Sequence, residues 1–359
     1  MSGLPIYLDY NATTPCDPQV VEAMLPYFTN IFGNAASHTH VYGWQAREAV
    51  QIAREQIASL IGATERELIF TSGATESANL AIKGVFEMYA GKGNHIITTA
   101  VEHHAVLDTC AYLQKKGAEV TYLPVDAQGQ INLDVLRESI RPETILIAIM
   151  HANNETGTLF PVAEIGKIAK EKSVLFFSDA AQSVGKIKVD VDEQGIDILS
   201  GSAHKFYGPK GIGFLYLRRR NPRVALSAQL HGGGHERALR SGTLNVPAIV
   251  GMGKAAVLAS EVLQRDAERL KQYRQQFEDS LFSMPGVFLN SNEQHRLPHV
   301  GNYSFEGIRG EALLRGLVKN LAISSGSACT SALPEPSYVL KAQGRTDALA
   351  TAAIRISLG

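Results

Sequence analysis

The sequence predicts an α/β protein in which a large domain, built on a mostly parallel seven-stranded sheet, is joined to a smaller α+β domain. The first observation is that short apolar runs alternate with helical stretches between about residues 65 and 220. Several of these runs are apolar throughout, which is typical of strands buried on both faces of a sheet. The second is a change after residue 250, where one long helical stretch replaces the alternation.

The large domain is expected to contain seven strands joined by crossover helices. The strands are predicted at residues 67–71, 95–99, 119–123, 144–150, 174–178, 197–200 and 211–217. The clearest helices are predicted at residues 106–116, 133–140 and 162–171. Because ligands of such sheets bind beyond the carboxyl ends of the strands, we expect residues 71–73, Asp179 and residues 202–205 to meet in one crevice.

The small domain is predicted from the C-terminal part of the chain. A helix is expected over residues 253–283, followed by a strand at 301–305, a helix at 311–319 and an apolar stretch at 321–324. The predicted division assigns residues 16–252 to the large domain, and residues 1–15 together with 253–359 to the small domain.

The composition argues against several classes of protein. The 359 residues are 45% apolar and carry a formal net charge of −1, with a sequence pI near 6.8. No basic face for nucleic acid or an anionic membrane is therefore expected. Neither a signal peptide nor a run long enough to span a bilayer is predicted. Three cysteines without paired spacing, Cys16, Cys110 and Cys329, argue against a disulfide framework or a zinc site, so a cytoplasmic protein is expected.

Lys205 points most directly to chemistry. It lies in the small-residue segment 200–211, directly after the apolar run 196–199. An amine at the end of a buried strand is well placed to bond an aldehyde cofactor, although a lysine that snorkels from a turn gives the same pattern. Asp179, at the end of the preceding strand, either keeps a pyridinium nitrogen protonated or caps a helix.

The segment 71–79 is a candidate phosphate site. A strand ends here in small residues and a helix begins, which leaves free backbone N–H groups at the positive helix end. An ordinary capping box is the simpler alternative. A phosphate site, an aspartate and a lysine on successive strand ends of one sheet together predict a pocket for pyridoxal phosphate, with Ser202 and His204 as further phosphate donors.

Other polar positions follow neighbouring strands. His103 either stacks on a cofactor and relays protons or simply begins a helix. An amide of Asn153 or Asn154 contacts the cofactor or substrate, or only forms a turn. The polar, glycine-rich segments 231–236 and 240–243 predict a loop at an active site or a subunit interface, with a plain surface loop as the alternative.

Cys329 is the second residue with a chemical signature. It lies in segment 324–332, whose serine, glycine and alanine residues predict an exposed loop. Cys110 is instead expected on a buried helix face, and Cys16 in a turn. Because an accessible cysteine is easily oxidised, the hypothesis is that the Cys329 thiolate reacts. No metal site is predicted, although Cys329 could ligate a transferred iron–sulfur cluster.

These segments together resemble the cysteine desulfurases of the NifS/IscS kind, which are fold-type I pyridoxal phosphate enzymes of the class V aminotransferase family. The likeness extends from residues 7–14 nearly to the last residue. Its most specific pieces are residues 71–79, 102–103, 153–157, 179–183, 202–211, 231–243 and 324–332. The resemblance implies a homodimer that converts L-cysteine to L-alanine and carries the sulfur as a persulfide on Cys329 to an acceptor protein, such as an iron–sulfur scaffold.

The resemblance also implies roles for single residues. Lys205 would hold the cofactor covalently and, with His103, move the substrate's Cα proton. The phosphate would be bound by Ala74, Thr75, Ser202, His204 and, from the other subunit, Thr243. The ring would be bound by Asp179, Gln182, Asn154 and His103. The substrate carboxylate would be bound by Arg355, aided by Asn154.

The end of the chain departs from the resembled pattern. The sequence stops at Gly359, whereas members of that family continue through a helical tail, which puts scaffold docking and small-domain stability in question. Selenocysteine lyase and a small amino-acid transaminase are alternatives within the same fold, and a catalytically silent docking protein is a further one. Cys329 distinguishes the desulfurase from a transaminase, which needs no reactive thiol.

Overall fold

The structure is a computed structural model that describes residues 4–325 and 336–359. The strands, in chain order, are β1 (Ile6–Tyr7), β2 (Leu68–Thr71), β3 (His95–Thr99), β4 (Glu119–Leu123), β5 (Thr144–Ala148), β6 (Leu175–Asp179), β7 (Ile198–Ser202), β8 (Gly213–Leu217), β9 (Val287–Leu289), β10 (Val300–Phe305), β11 (Leu321–Ala322) and β12 (Ala353–Ser357). The helices are α1 (Pro18–Met24), α2 (Pro26–Thr29), α3 (Val41–Leu60), α4 (Ala74–Met88), α5 (His104–Gln114), α6 (Leu133–Ser139), α7 (Val162–Glu171), α8 (Val246–Leu281), α9 (Gly310–Leu317), α10 (Tyr338–Ala342) and α11 (Asp347–Thr351).

A seven-stranded sheet in the order β2-β8-β7-β6-β5-β3-β4 forms the centre of the larger part of the molecule. The pairs β3–β4, β3–β5, β5–β6 and β6–β7 are parallel, and only β8 runs antiparallel to its two neighbours. Every residue of β3, β5, β6 and β7 is buried, which explains their continuous apolar sequence pattern. The predicted mostly parallel seven-stranded sheet is confirmed.

Helices cover both faces of this sheet. One face packs against buried residues of α3, α7 and α8, and the other packs against α4 and α5. Neighbouring residues of one strand therefore point to different cores, as Phe176 contributes to the first and Phe177 to the second. Cys110 lies in the second core on α5, as the sequence predicted. The result is a three-layer α/β architecture.

A smaller antiparallel sheet, in the order β12-β10-β9, forms the second part of the molecule. The C-terminal half of α8 packs on it, with Leu281 in one cluster with Tyr303, Phe305 and Ile356. The N-terminal strand β1 pairs in parallel with β11, and Asp9 forms a bridge with Ser357 of β12, so the N-terminal segment joins this part of the molecule. The proposed domain division at residues 252 and 253 remains a prediction, and it falls within the single helix α8.

The predicted bounds of α8 were wrong. The helix begins at Val246 rather than at residue 253, because Asn245 caps it by accepting a hydrogen bond from the backbone N–H of Ala248. Gly251 and Gly253 resemble helix breakers in the sequence, but here they allow close packing, since a Cβ on Gly251 would lie 2.5 Å from the sulfur of Met24. By length and composition this helix also meets the criterion for a membrane span, although half of the apolar window is buried within the protein.

Candidate active site

One cavity of about 580 Å³ opens at the carboxyl ends of β5, β6 and β7. It lies where the parallel strands end and the connections turn away, as the topology rule requires. Nine of the residues proposed from the sequence line it: Ala74, Thr75, His103, Asn154, Asp179, Gln182, Ser202, His204 and Lys205. The sequence-predicted phosphate site, aspartate and lysine therefore do meet in one crevice.

Lys205 follows β7 in a short 3₁₀ turn, Ala203–Lys205, and extends its amine into this cavity. Its Nζ donates to the backbone carbonyl oxygens of Asn11 at 2.5 Å and Ala12 at 2.9 Å. Burial lowers the pKa of Lys205 to about 8, an effect to which Arg355 adds and which Asp179 opposes. An amine with this pKa is partly uncharged near neutral pH, which is the state that attacks a carbonyl.

Asp179 ends β6 and faces the same cavity with 6% of its surface exposed. Its Oδ1 accepts hydrogen bonds from the hydroxyl of Ser200 and the backbone N–H of Ala181, both at 3.0 Å. Within residues 4–325 and 336–359, no hydrogen bond reaches Oδ2. One carboxylate oxygen thus fixes the side chain, and the other is free to pair with a positive group in the cavity.

The N-terminus of α4 forms the opposite end of the cavity. The helix begins after Gly73 without a side-chain cap, so the backbone N–H groups of Ala74 and Thr75 are available to a ligand. The capping-box alternative is therefore wrong for this helix. Burial and the charges of Lys205 and Lys210 lower the pKa of nearby His204 to about 4. The neutral His204 ring and the Ser202 hydroxyl complete a set of donors suited to a phosphate.

His103 caps α5 beside the cavity. Its Nδ1 accepts the backbone N–H of Ala105 at 3.1 Å, so the ring proton of the neutral form is on Nε2. Burial is the main factor that lowers the pKa of His103, and Lys205 adds to it. The imidazole is therefore neutral at physiological pH, and it both caps α5 and lines the cavity.

Arg355 lies behind Asn154 rather than on the cavity wall. It is 4% exposed, and its guanidinium donates to the backbone oxygen of Asn154 at 2.8 Å and to Asp9 Oδ1 at 2.7 Å. The Oδ1 of Asn154 and the Nε of Arg355 are buried and have no hydrogen-bond partner. Among the described residues, this end of the site thus has one acceptor and one donor to which a ligand can form hydrogen bonds.

Like Arg355, Thr243 does not line the cavity, and it is exposed. Nearby, Arg240 pairs with Glu76 at 2.7 Å, which places the glycine-rich segment beside the start of α4. Cys329 lies outside the described residues, and its role stays a prediction.

The chain segments that precede and follow residues 326–335 are both hydrogen-bonded to residues next to the cavity. On one side, the backbone oxygen of Ser324 accepts from the N–H of Arg355 at 2.8 Å. On the other, the Ser337 hydroxyl donates to Glu155 at 2.5 Å, and the Tyr338 hydroxyl donates to the backbone oxygen of Glu102 at 2.5 Å. Glu155 and Glu102 directly adjoin Asn154 and His103.

Asn11 is a site residue that reasoning from the sequence did not single out. Its backbone oxygen accepts from Lys205 and from Gln182, the latter at 3.1 Å. Its side chain donates to the oxygen of Asn154 at 3.1 Å and accepts from His299 at 3.0 Å. Asn11 was included only within the resembling segment 7–14, because a residue that acts through its backbone carbonyl leaves no side-chain signal.

Comparison with known proteins assigns the chain to a family. The class-V aminotransferase model matches residues 6–359. The chain is 54% identical to the protein named cysteine desulfurase IscS of Anaeromyxobacter dehalogenans, over 99% of this chain and 88% of that relative. Among solved structures, a NifS-like protein superposes with a TM-score of 0.91 at 39% identity, covering 99% of this chain and 94% of the other. A structure described as SspA in complex with cysteine gives 0.87 at 38% identity, covering 98% of both chains.

The chain belongs to the cysteine desulfurases of the class-V aminotransferase family. This confirms the resemblance, the fold-type I architecture and the use of pyridoxal 5′-phosphate. The residues present fit that cofactor: the uncapped start of α4 suits its phosphate, the free Oδ2 of Asp179 suits its ring nitrogen, and the amine of Lys205 suits its aldehyde. The buried, unpartnered Oδ1 of Asn154 is consistent with a bound group at this position.

Proposed function

We propose that this desulfurase transfers the sulfur of L-cysteine to Cys329 as a persulfide, leaves L-alanine, and passes the sulfur to an acceptor protein for iron–sulfur cluster assembly. The observation that carries the proposal is that Lys205 and Asp179 line the same cavity. The chain segments that precede and follow residues 326–335 are hydrogen-bonded next to this cavity. The similarity to proteins named cysteine desulfurase supports the same reaction.

Lys205 is proposed as the residue that holds the cofactor and then moves the substrate's Cα proton. Bound pyridoxal phosphate supplies an electron sink that makes this proton acidic and the Cβ–S bond labile. The lowered pKa of Lys205 lets the released amine accept a proton near neutral pH. With the cofactor bound, Asp179 would keep the ring nitrogen positive, and the neutral His103 ring, with its proton on Nε2, would contact the cofactor and relay protons.

The sulfur-transfer step is proposed for Cys329. Its thiolate attacks the substrate sulfur, a new S–S bond forms, and the Cβ–S bond breaks. The electron pair of the broken bond stays on the substrate carbon, which takes a proton to become the methyl group of alanine. Arg355 and Asn154 orient the substrate carboxylate during this step, for which the unpartnered Nε of Arg355 is available.

We further propose a homodimer in which Thr243 of one subunit completes the phosphate site of the other. Support comes from the exposure of Thr243 and from the contact of Arg240 with Glu76 at the start of α4. The near-zero net charge favours a cytoplasmic protein that binds neither nucleic acid nor a membrane surface directly.

The experiment that tests the proposed function compares Cys329→Ala with Cys16→Ala in holoenzyme supplied with L-cysteine. Alanine and sulfide are both measured, with a thiol reductant as the final acceptor. Cys329→Ala should keep the visible absorbance of the cofactor and release no sulfide, whereas Cys16→Ala should behave as wild type. Sulfide release from Cys329→Ala at the wild-type rate would refute the persulfide step, and pyruvate formation instead of alanine would indicate a different reaction class.

A further inference from the structure

A second cavity, of about 330 Å³, shares no lining residue with the active-site cavity. We call it the rear cavity. It is enclosed by α8, by the turn at Lys186 and by Phe206 and Tyr207, which directly follow Lys205. The α8 wall contributes the apolar residues Leu258, Val262, Leu263 and Leu270. It also carries Arg265 and Asp266, which pair with each other at 3.7 Å, and Asp17 lines the cavity as well. A cavity of this size admits a small organic molecule, and its walls suit one with an aliphatic part.

Lys186 places an amine without a protein acceptor at this cavity. The residue is 8% exposed, and within the described ranges 4–325 and 336–359 its Nζ makes no hydrogen bond and no ion pair. It lies 4.4 Å from the centroid of the Tyr207 ring, and Asp266 acts on it only from a greater distance. Burial lowers the pKa of Lys186 to about 8. The carboxylate of Asp266 is already paired with Arg265 at 3.7 Å and with Arg269 at 3.5 Å. Because a buried ammonium without an adjacent anion is costly, the position next to Lys186 favours a bound anion.

His299 adds an unused acceptor to the same cavity. It is 1% exposed, lines the cavity, and has no partner at Nδ1. Its Nε2 must donate to Asn11 Oδ1 at 3.0 Å, because the Asn11 amide already donates through Nδ2 to Asn154. Burial holds the pKa of His299 well below its usual value, and Lys186 adds to this effect. Nδ1 is therefore an unprotonated acceptor near Lys186, and it can bind an O–H or N–H group.

We propose that the rear cavity binds a small carboxylic acid that also carries an O–H or N–H donor and an aliphatic side chain. The carboxylate pairs with Lys186, the donor bonds to His299 Nδ1, and the aliphatic part packs against α8. This set of contacts satisfies both unpartnered groups and also covers the apolar residues of α8, which neither an inorganic anion nor a hydrocarbon does. Two residues, His299 and Asn11, connect the ligand to the amine of Lys205 through three successive hydrogen bonds.

The test uses L-2-hydroxy-4-methylpentanoate as the probe, because a hydroxy acid has no amine to react with the cofactor. Isothermal titration calorimetry is performed on the holoenzyme for wild type, Lys186→Met and the matched control Lys188→Met. Lys188 is exposed and is paired with Glu193 at 2.7 Å, so its replacement makes the same chemical change outside the cavity. Lys186→Met loses one charge-assisted hydrogen bond to the probe, so its Kd should rise at least about ten-fold. The Kd of Lys188→Met should equal that of the wild type. Equal affinity in all three proteins, or no binding to wild type, would overturn the proposal.

A second measurement needs no variant and therefore does not depend on folding. Wild-type holoenzyme is treated with acetic anhydride near pH 8, and acetylation of single lysines is followed by peptide mass spectrometry. The acid should slow acetylation of Lys186 and leave that of Lys188 unchanged. Acetylation of Lys186 at the same rate with and without the acid would contradict the proposal.

Discussion

Glu102 is predicted to make the stability of this enzyme depend on pH. The side chain is fully buried beside His103. Its Oε1 accepts from Thr99 at 2.9 Å and from the backbone N–H of Met150 at 3.0 Å, whereas Oε2 has no partner. Burial, together with the negative charge of Asp179, raises the pKa of Glu102 from 4.5 to about 8. At neutral pH the carboxyl group is therefore mostly protonated in the folded protein and ionised in the unfolded chain.

The sign and size of the effect follow from this difference. A carboxyl with a raised pKa in the folded state contributes stability that is fully present below pH 4.5 and is lost as the pH rises through about 8. Each pH unit between these values lowers the free energy of unfolding by roughly 1.4 kcal/mol for one proton. Between pH 6 and pH 8, Glu102 should therefore destabilise the wild type by about 2 kcal/mol.

The perturbation is Glu102→Gln, which keeps the shape of the side chain and removes the ionisation. Urea unfolding is followed by circular dichroism at pH 6, 7 and 8, with the exposed Glu138→Gln as the matched control. The free energy of unfolding of the wild type and of Glu138→Gln should fall by the same amount between pH 6 and pH 8. That of Glu102→Gln should fall by about 2 kcal/mol less than the wild-type value. Parallel pH dependence in all three proteins would refute the reasoning, because it would mean that Glu102 does not take up a proton on folding.

Three further predictions concern the cofactor and the core. Lys205→Ala should bind pyridoxal phosphate without a covalent link. After borohydride treatment, mass spectrometry should find cofactor attached to the wild type and none attached to the variant. Cofactor attached to the variant would contradict the role of Lys205. Arg54→Met should lower the free energy of unfolding by about 3–5 kcal/mol in urea, because it leaves Glu236 buried without the partner that now lies at 2.7 Å. Asn11→Ala removes two buried side-chain hydrogen bonds and should cost about 2 kcal/mol by the same assay, and a cost near zero would show that these bonds do not stabilise the fold.

The large sheet was predictable because its central strands are buried on both faces and therefore carry continuous apolar sequences, such as that of β5. Once the strands were placed, the rule that parallel strands carry ligands at their carboxyl ends brought Asp179 and Lys205 together. The start of α8 was misplaced because its start signals, Asn245 at the N-cap and Pro247 in the first turn, were not used.

The remaining features depend on contacts between distant parts of the chain. Asn11 acts through a backbone carbonyl 194 positions away from Lys205, and a backbone group has no residue-specific pattern. Lys186 looks like an ordinary surface lysine in the sequence, because its burial arises from α8, which is far away along the chain. The raised pKa of Glu102 likewise depends on burial and on the charge of Asp179, neither of which the neighbouring residues reveal.

The sulfur-carrying role of Cys329 is tested most directly by locating the sulfur. Holoenzyme is mixed with L-cysteine without an acceptor, and its peptides are analysed by mass spectrometry under conditions that preserve persulfides. Burial raises the pKa of Cys110 to about 12 and also raises that of Cys16, so both thiols stay protonated near neutral pH and serve as internal controls. We predict one additional sulfur atom on Cys329 and none on Cys16 or Cys110. Alanine formation without a persulfide on Cys329, or with the sulfur on another cysteine, would contradict the account.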